Sequence, residues 1–544
     1  MKLTIGLDFG TLSVRAVLVD ISSGEIIASS VSKYRNAVMD SYLVNGIKLP
    51  NDYALQNALD YIESMETVIN KITSNNTINN KDIIGIGVDF TASTILPMKA
   101  DGTPLSALSK YENNPHAYSK LWKHHSAEKQ AVRISELAIK SEAPWIKRYG
   151  NKISSEWMLP KVLEILEEDL KLFNETDYFV EAGDFITYYL TKSFKRSSCQ
   201  AGYKGIWHSK SGYPKDEYLV KLNKKLKDIY NTKLSGDILP IGKKSGRLTS
   251  ELANKYGLKQ IPVSVSVIDA HVAAPACQAV NSGDMLMIIG TSSCDIVLSE
   301  KEVNIPGIQG VVKDGAIPNL FAYESGQPAV GDIFSWYIEN HLPSGYYAYA
   351  KGNNQNIYQY MEDRIKLIPK TKPRLLALDW WNGNRSVLVD PDLSGILVGY
   401  NLQTTPEDIY RALIEATAFG KRVTIEAYES NGIEVKRLIA CGGLATKNKY
   451  LLQCYANILK RPVFFTEEEY APALGAAIFG ALAAKDNGGY SSIEVASKYM
   501  SKLVEEPILP NKDFNYDELF KMYIELHDYF GKHSKLMKKL KLLQ

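Results

Sequence analysis

At 544 residues, with 45% hydrophobic and 23% charged side chains, the chain is too long for one ordinary core and has the composition of a folded protein. Its 63 basic and 61 acidic residues leave a formal charge of +2, which excludes a general field for nucleic acid or a membrane surface. No stretch reaches ~18 consecutive apolar residues and the N-terminus lacks the apolar core of a secretory signal, so a cytoplasmic protein is expected.

The first element is organised around Gly6-Leu7-Asp8-Phe9-Gly10-Thr11-Leu12-Ser13-Val14-Arg15. Apolar residues on both sides predict strand, Gly-Thr turn, strand, with no helix between. Alternation places Thr11, Ser13 and Arg15 on one side of the returning strand, where two hydroxyls and a guanidinium project beside the turn. Gly10 lets backbone N–H groups approach a phosphate, and Asp8 is placed to hold a divalent cation through its waters.

Ile26–Val31 follows as a third strand, and apolar spacing from Asn57 to Ile72 predicts a helix that ends before Ser74. Ile83–Phe90 is an apolar strand running into Thr91-Ala92-Ser93, either pocket lining or a plain turn. Asn114–Trp145 reads as helical, with Leu121, Trp122, Ile134 and Leu137 as core anchors. Adjacent His124 and His125 would point about 100° apart on a helix, poor metal-ligand geometry, and are assigned to surface or packing.

Between Lys152 and Trp207, three blocks mix aromatic and charged residues in a way that suits sugar hydroxyls and C–H faces. Read locally, Lys204 in the last block is a solvated loop lysine. The branched run Val263–Val267 delivers Asp269 and His271 at its end; of the two, Asp269 is the better base for a hydroxyl attacking a phosphoryl group.

A second Gly-Thr hairpin, Met285–Leu298 with Gly290 and Thr291 at its bend, repeats the plan of the first. Two such hairpins predict two related domains facing a cleft, residues 1–280 and 281–544. Phe321–Gln327 is read as a strand end that carries Glu324 towards the cleft. Asp379–Arg385 is a turn with two indoles, at the cleft rim or packed on the regular helix Ile409–Tyr428. Arg437–Cys441 ends in Gly442-Gly443 before a helix starting near Asn448, a bend that admits a flat ring or a phosphate against bare backbone. The small residues of Pro472–Ala477 permit close helix packing, and the lysine-rich end after Phe514 is an amphipathic helix. The five cysteines include no C-x-x-C pair, which opposes a disulfide framework and a structural zinc site and points to free buried thiols.

Two Gly-Thr hairpins, an aspartate at a strand end before the second and a late Gly-Gly bend resemble the FGGY carbohydrate kinases, within the actin and hexokinase superfamily. Gly87–Ser93, Asn114–His125, Ala201–Trp207, Asp379–Arg385 and His527–Gly531 are similar to the ribulokinase branch of that family. Xylulose kinases usually carry Met-His-Gly where this chain has Phe90-Thr91-Ala92.

The resemblance implies an α/β fold of two actin-like, ribonuclease-H-like ATPase domains, with mixed sheets flanked by helices around a central cleft. It implies Mg²⁺-dependent transfer of phosphoryl from ATP to the 5-hydroxyl of L-ribulose. Ala92, Lys204, Asp269 and Glu324 would then contact the sugar, which reverses the local reading of Lys204. ATP would lie against Gly290, Thr291, Gly442, Gly443 and Asn448, its phosphates meeting Gly10, Thr11, Ser13 and Arg15, and the cation meeting Asp8 and Asp269. Two other readings stay open: a kinase for another ketopentose or pentitol (D-ribulose, ribitol, D-xylulose), and a nucleotide-switched binding protein of the actin or chaperone kind. The expected partners are a sugar and ATP, with no nucleic acid, no membrane and, on base rates, a homodimer.

Three residues depart from the family pattern. Val14 replaces a small residue, Ser93 a frequent cysteine, and Asp295 an expected histidine, the last adding negative charge near the nucleotide. Val14 should point away from the phosphates.

Overall fold

In the computed structural model, residues 1–74, 78–308, 310–369, 372, 374–511 and 514–543 are described. The first hairpin forms as its residues dictate: β1 (Leu3–Phe9) and β2 (Ser13–Asp20) pair antiparallel with Asp8 opposite Arg15. β3 (Ile26–Lys33) continues the meander, and β4 (Ile83–Phe90) adds to β1 in parallel after the helix α1 (Ala58–Thr73). Short strands Lys244–Arg247 and Pro262–Ser264 complete the sheet beyond β4.

The second hairpin, β5 (Asp284–Ile289) and β6 (Ser293–Ser299), is followed by β7 (Phe321–Gln327) antiparallel to β6. β8 (Arg437–Cys441) and then β9 (Val463–Phe465) add to β5 in parallel. Three antiparallel strands followed by parallel ones on the far side of the first strand is thus the plan of both sheets. The repeat expected from two hairpins extends to whole sheets.

Two helices join the halves. α2 (Asp269–Ala276) closes the first half, and α3 (Ala471–Ala483) follows the second sheet in the chain yet packs on the first. One core holds Val17 and Val19 of β2, both helices, and Leu286, Ile296 and Ile439 of the second sheet. Such an approach requires residues without side chains: a Cβ on Gly87 would lie 1.7 Å from the Ala476 carbonyl oxygen, one on Gly6 1.9 Å from that of Ala473, and one on Gly475 1.9 Å from that of Val272. The close packing expected of the small residues after Pro472 is realised at backbone distance.

Three expectations change. Only Glu128–Lys140 of Asn114–Trp145 is α-helical, because Pro115 opens a tight turn and Ser119–Lys120 pairs as a strand with Leu55–Gln56. Trp122 is therefore 40% exposed rather than a core anchor. Val263–Val267 is not one continuous strand; it breaks between Pro262–Ser264 and Val267–Ile268. Glu324 sits inside β7, opposite Ile296, instead of at a strand end.

Gly87→Ala is expected to destabilise the protein by about 3 kcal/mol or more, because the added methyl meets helix backbone that cannot rotate away. Gly345→Ala, in a helix with nothing within 4 Å of the new methyl, should leave the melting temperature unchanged or raised. Equal melting temperatures for the two variants would contradict this packing.

Candidate active site

A cavity of about 780 Å³ opens between the halves and is lined by Ala92, Lys204, Asp269 and Glu324 together. Trp122, Trp157 and Tyr149 supply aromatic walls, and Asn382, Asn384 and Arg385 enter from the second half. All four residues expected at a sugar thus converge, from four separate parts of the chain.

β4 delivers Thr91 and Ala92 to the cavity, and the chain then turns through Ser93 at φ 55°. Lys161, buried and not anticipated from the sequence, pins this turn: its Nζ donates to the carbonyls of Ser93 and Leu121, each at 2.6 Å. The same ammonium therefore fixes the segment leading to Trp122. Its only signal was a lysine inside Met158–Ile165, a run that is apolar apart from it and Glu164.

Glu324 is the centre of charge. Lys204 Nζ lies 3.3 and 3.4 Å from its two oxygens, Arg385 donates to it at 2.7 Å, and His271 Nε2 stands 3.5 Å away. Burial alone would raise the carboxyl, but Lys204 and Arg385 outweigh it and hold Glu324 down at about 2. Sequence reasoning noticed the turn that carries Arg385 without assigning it to the site. Lys204 is a buried ion-pair partner, not a solvated loop lysine.

Asp269, at the first position of α2, meets the opposite environment. Burial, and then the negative charge of Asp8, push it up to about 7 against the Ala270 N–H at 2.7 Å and Lys204. His271, the rival base, is buried and driven down to about 4, a neutral and weakly basic imidazole.

Beside Asp269, Asp8 and Asp89 complete an acidic group. Asp8 is raised by burial, with Arg15 at 3.4 Å opposing, and Asp89 is raised by burial and by the charges of Asp8 and Asp269. Among the described residues neither oxygen of Asp89 meets a hydrogen-bond partner of ordinary geometry. Such orphaned oxygens beside two carboxyls fit a cation shared with an anionic ligand. Among the described residues no cluster of three or more His, Cys, Asp or Glu forms a cage of its own.

The other expected contacts fall in two places outside the lining of this cavity. Gly10, Thr11, Ser13 and Arg15 occupy the first bend, where Trp122 Nε1 donates to Thr11 Oγ1 at 3.2 Å and Arg15 lies over the Tyr470 ring at 4.7 Å. Gly290, Thr291, Gly442, Gly443 and Asn448 gather at one end of the second sheet, since β5 and β8 run parallel with Ile288 beside Cys441. Gly442, at φ 93°, sits so close that a Cβ would be 2.7 Å from the Ile289 carbonyl oxygen, while Gly443 faces open space. Asn448 caps the next helix through its side-chain oxygen, 2.6 Å from Leu451 N.

Asp295 does not add charge beside the bend. It is fully buried, accepts from Ser293 Oγ at 2.9 Å and is ion-paired with Lys421 of the long helix Pro406–Ser430. Val14 points into the core, as alternation requires. His124 and His125 part company: His124 is buried against Glu164, while His125 lines the cavity. Trp380 is buried against His527 and Trp381 packs on Trp336. The five cysteines are free, four of them buried.

Comparison with known proteins bears on this arrangement. The model of the N-terminal domain of the FGGY family of carbohydrate kinases matches residues 3–275, and that of the C-terminal domain matches 285–484. The chain is 46% identical over 549 residues to a ribulokinase of Halalkalibacterium halodurans, covering 100% of this chain and 98% of that one. A ribulokinase of Bacillus licheniformis is 46% identical over 538 residues, 98% of each chain. Among solved structures, a gluconate kinase from Lactobacillus acidophilus superposes with a TM-score of 0.80 at 18% identity, covering 98% of this chain and 99% of that one. A Plasmodium falciparum glycerol kinase with ADP gives 0.76 at 17% identity over 96% of each; these two likenesses speak to the fold. With both family models matched in order from Leu3 to Ala484, and relatives aligned over nearly their full length, the chain belongs to the FGGY family of carbohydrate kinases.

Proposed function

We propose that this sugar kinase transfers the γ-phosphoryl group of ATP to the 5-hydroxyl of L-ribulose, the kinase step of L-arabinose breakdown. The observation that carries the reading is the meeting of Asp269 from the first half with Glu324 and Arg385 from the second on one cavity. The relatives at 46% identity, named ribulokinases, supply the substrate class.

In this reading Glu324, kept ionised by Lys204 and Arg385, accepts hydrogen bonds from sugar hydroxyls while Lys204 donates to others. Ala92, with its single methyl, leaves room for the sugar beside the turn that Lys161 holds. Asp269 orients the attacking hydroxyl and takes its proton. The nucleotide lies on the bends at Gly290–Thr291 and Gly442–Gly443 with Asn448, its phosphates facing Gly10, Thr11, Ser13 and Arg15. Phosphoryl transfer of this kind rests on positioning and on spreading charge, which these bends and Arg15 provide. Asp8 and Asp269, with Asp89 behind them, would hold Mg²⁺, which when bound neutralises phosphate charge. The working units are residues 1–280 and 281–544, whose closure excludes water from the sugar. A cytoplasmic homodimer completes the reading.

Asp269→Asn should lower kcat by about 10³-fold or more while the dissociation constant for sugar changes by less than about five-fold. Near-normal turnover in that variant would remove Asp269 as the base. Because Asp269 must be ionised to accept a proton and its carboxyl is raised to about 7, activity should climb as pH rises. A plot of log kcat/KM against pH should bend at or below about 7, bound cation and Lys204 both favouring the carboxylate. A profile that falls over this range contradicts the assignment. In a coupled ADP-release assay, L-ribulose should exceed D-ribulose, D-xylulose, ribitol and glycerol by about ten-fold or more in kcat/KM, because a misplaced hydroxyl leaves Glu324 or Lys204 unpaired. Preference for another member of the panel would transfer the substrate assignment to it.

A further inference from the structure

A second cavity, of about 610 Å³, lies on the far side of the turn that walls the sugar site. Its lining combines Trp145, Tyr213 and Tyr218 with Arg148, Lys215 and Lys221. The Trp145 and Tyr218 rings meet edge to face at 5.2 Å, and Tyr213 stacks on Tyr230 at 4.0 Å, so the aromatic wall is held in place from behind.

Arg148 is the informative residue. It is only 8% exposed, its Nε meets no acceptor among the described residues, and its guanidinium carbon lies 5.7 Å from the centre of the Tyr149 ring. Desolvating a guanidinium without a carboxylate or carbonyl opposite it is costly, which makes a cavity-facing Arg of this kind complementary to an anion from solution. Lys215 and Lys221, both exposed, add charge at the same cavity, and neither is ion-paired among the described residues. Two acids line it as well. Glu302 is engaged by His208 Nε2 at 2.8 Å, leaving Glu217 against three cations.

We propose that this cavity binds a phosphorylated sugar, its phosphate on Arg148 with Lys215 and Lys221, its C–H face on Trp145 and Tyr218. The site is separate from the catalytic one and does not depend on which sugar is phosphorylated there. One short turn serves both: Ile146–Tyr149 gives Arg148 to this cavity and Tyr149 to the sugar cavity. Tyr149 Oη in turn donates at 2.6 Å to the Gly202 carbonyl, in the helix that ends at Lys204.

The test is calorimetric titration of the full chain with its active site saturated by ADP and whichever sugar of the assay panel the enzyme phosphorylates best. Three probes are used: D-ribulose 5-phosphate, D-glucose 6-phosphate and inorganic phosphate. At least one sugar phosphate should still bind with one equivalent per chain, and Arg148→Met should weaken it by about ten-fold or more while leaving kcat within two-fold. Lys215→Ala with Lys221→Ala, both exposed and unable to unfold the cavity wall, should weaken it several-fold. No residual binding by either sugar phosphate, or binding indifferent to both sets of substitutions, overturns the proposal. Inorganic phosphate binding as tightly as the sugar phosphates overturns the sugar half of it and makes this a free-phosphate site.

Discussion

The absence of side chains at Gly6, Gly87 and Gly475 is the constraint from which the rest follows. It lets α3 lie on the backbones of β1 and β4 and on α2, so that one core continues from the first sheet through two helices to the second. Because α2 begins at Asp269, the packing that joins the halves also sets where the Asp269 carboxyl stands in the cavity lining. Buried glycine contacts of this sort tolerate no enlargement, whereas loops at the cavity rim do.

On that frame, two carboxyls of the same chemistry are driven to opposite states. Glu324 is buried and Asp269 half-buried, and burial acts on each carboxyl in the same direction. Glu324 meets three cationic or polarisable neighbours and stays ionised. Asp269 meets Asp8 and keeps its proton to about neutral pH. A permanently charged acceptor suits hydroxyl recognition, and a carboxyl near its midpoint suits proton transfer. The difference in protonation is therefore set by neighbours that lie on other elements, not by residue type.

That dependence explains what was legible in the sequence. The hairpins, α1, the Pro406–Ser430 helix and both bends carry their own local signals, periodicity and glycine placement, and each forms where expected. Ala92 and Asp269 were noticed because they follow apolar strands, and Glu324 was noticed on a strand-end reading that its place inside β7 overturns. Arg385 and Lys161 were missed because their importance lies in the partner: a carboxylate 61 residues away in the chain for one, a carbonyl 68 residues away for the other. Trp122 and Asp295 were misplaced for the reverse reason. Pro115 and a two-residue strand break the helical pattern around Trp122, and Lys421 draws Asp295 into the core in a way no local window contains.

Behind the Ala92 turn sits a buried ionic network that reads at first as a liability. Lys120 and Glu164 are enclosed 2.9 Å apart, with His124 on the same carboxylate at 3.3 Å and Ser126 completing it. A buried pair of this kind adds little stability over an apolar substitute, since desolvation offsets the attraction. Its value here is directional. Lys120 and Glu164 lie in the segments that flank the Lys161 ammonium, whose bonds to the carbonyls of Ser93, Lys120 and Leu121 hold the Ala92 turn and the approach to Trp122 as one unit. An apolar replacement of similar volume would keep the fold and lose the geometry. The charges buried in this half are thus better understood as fixing the cavity wall than as strengthening the core.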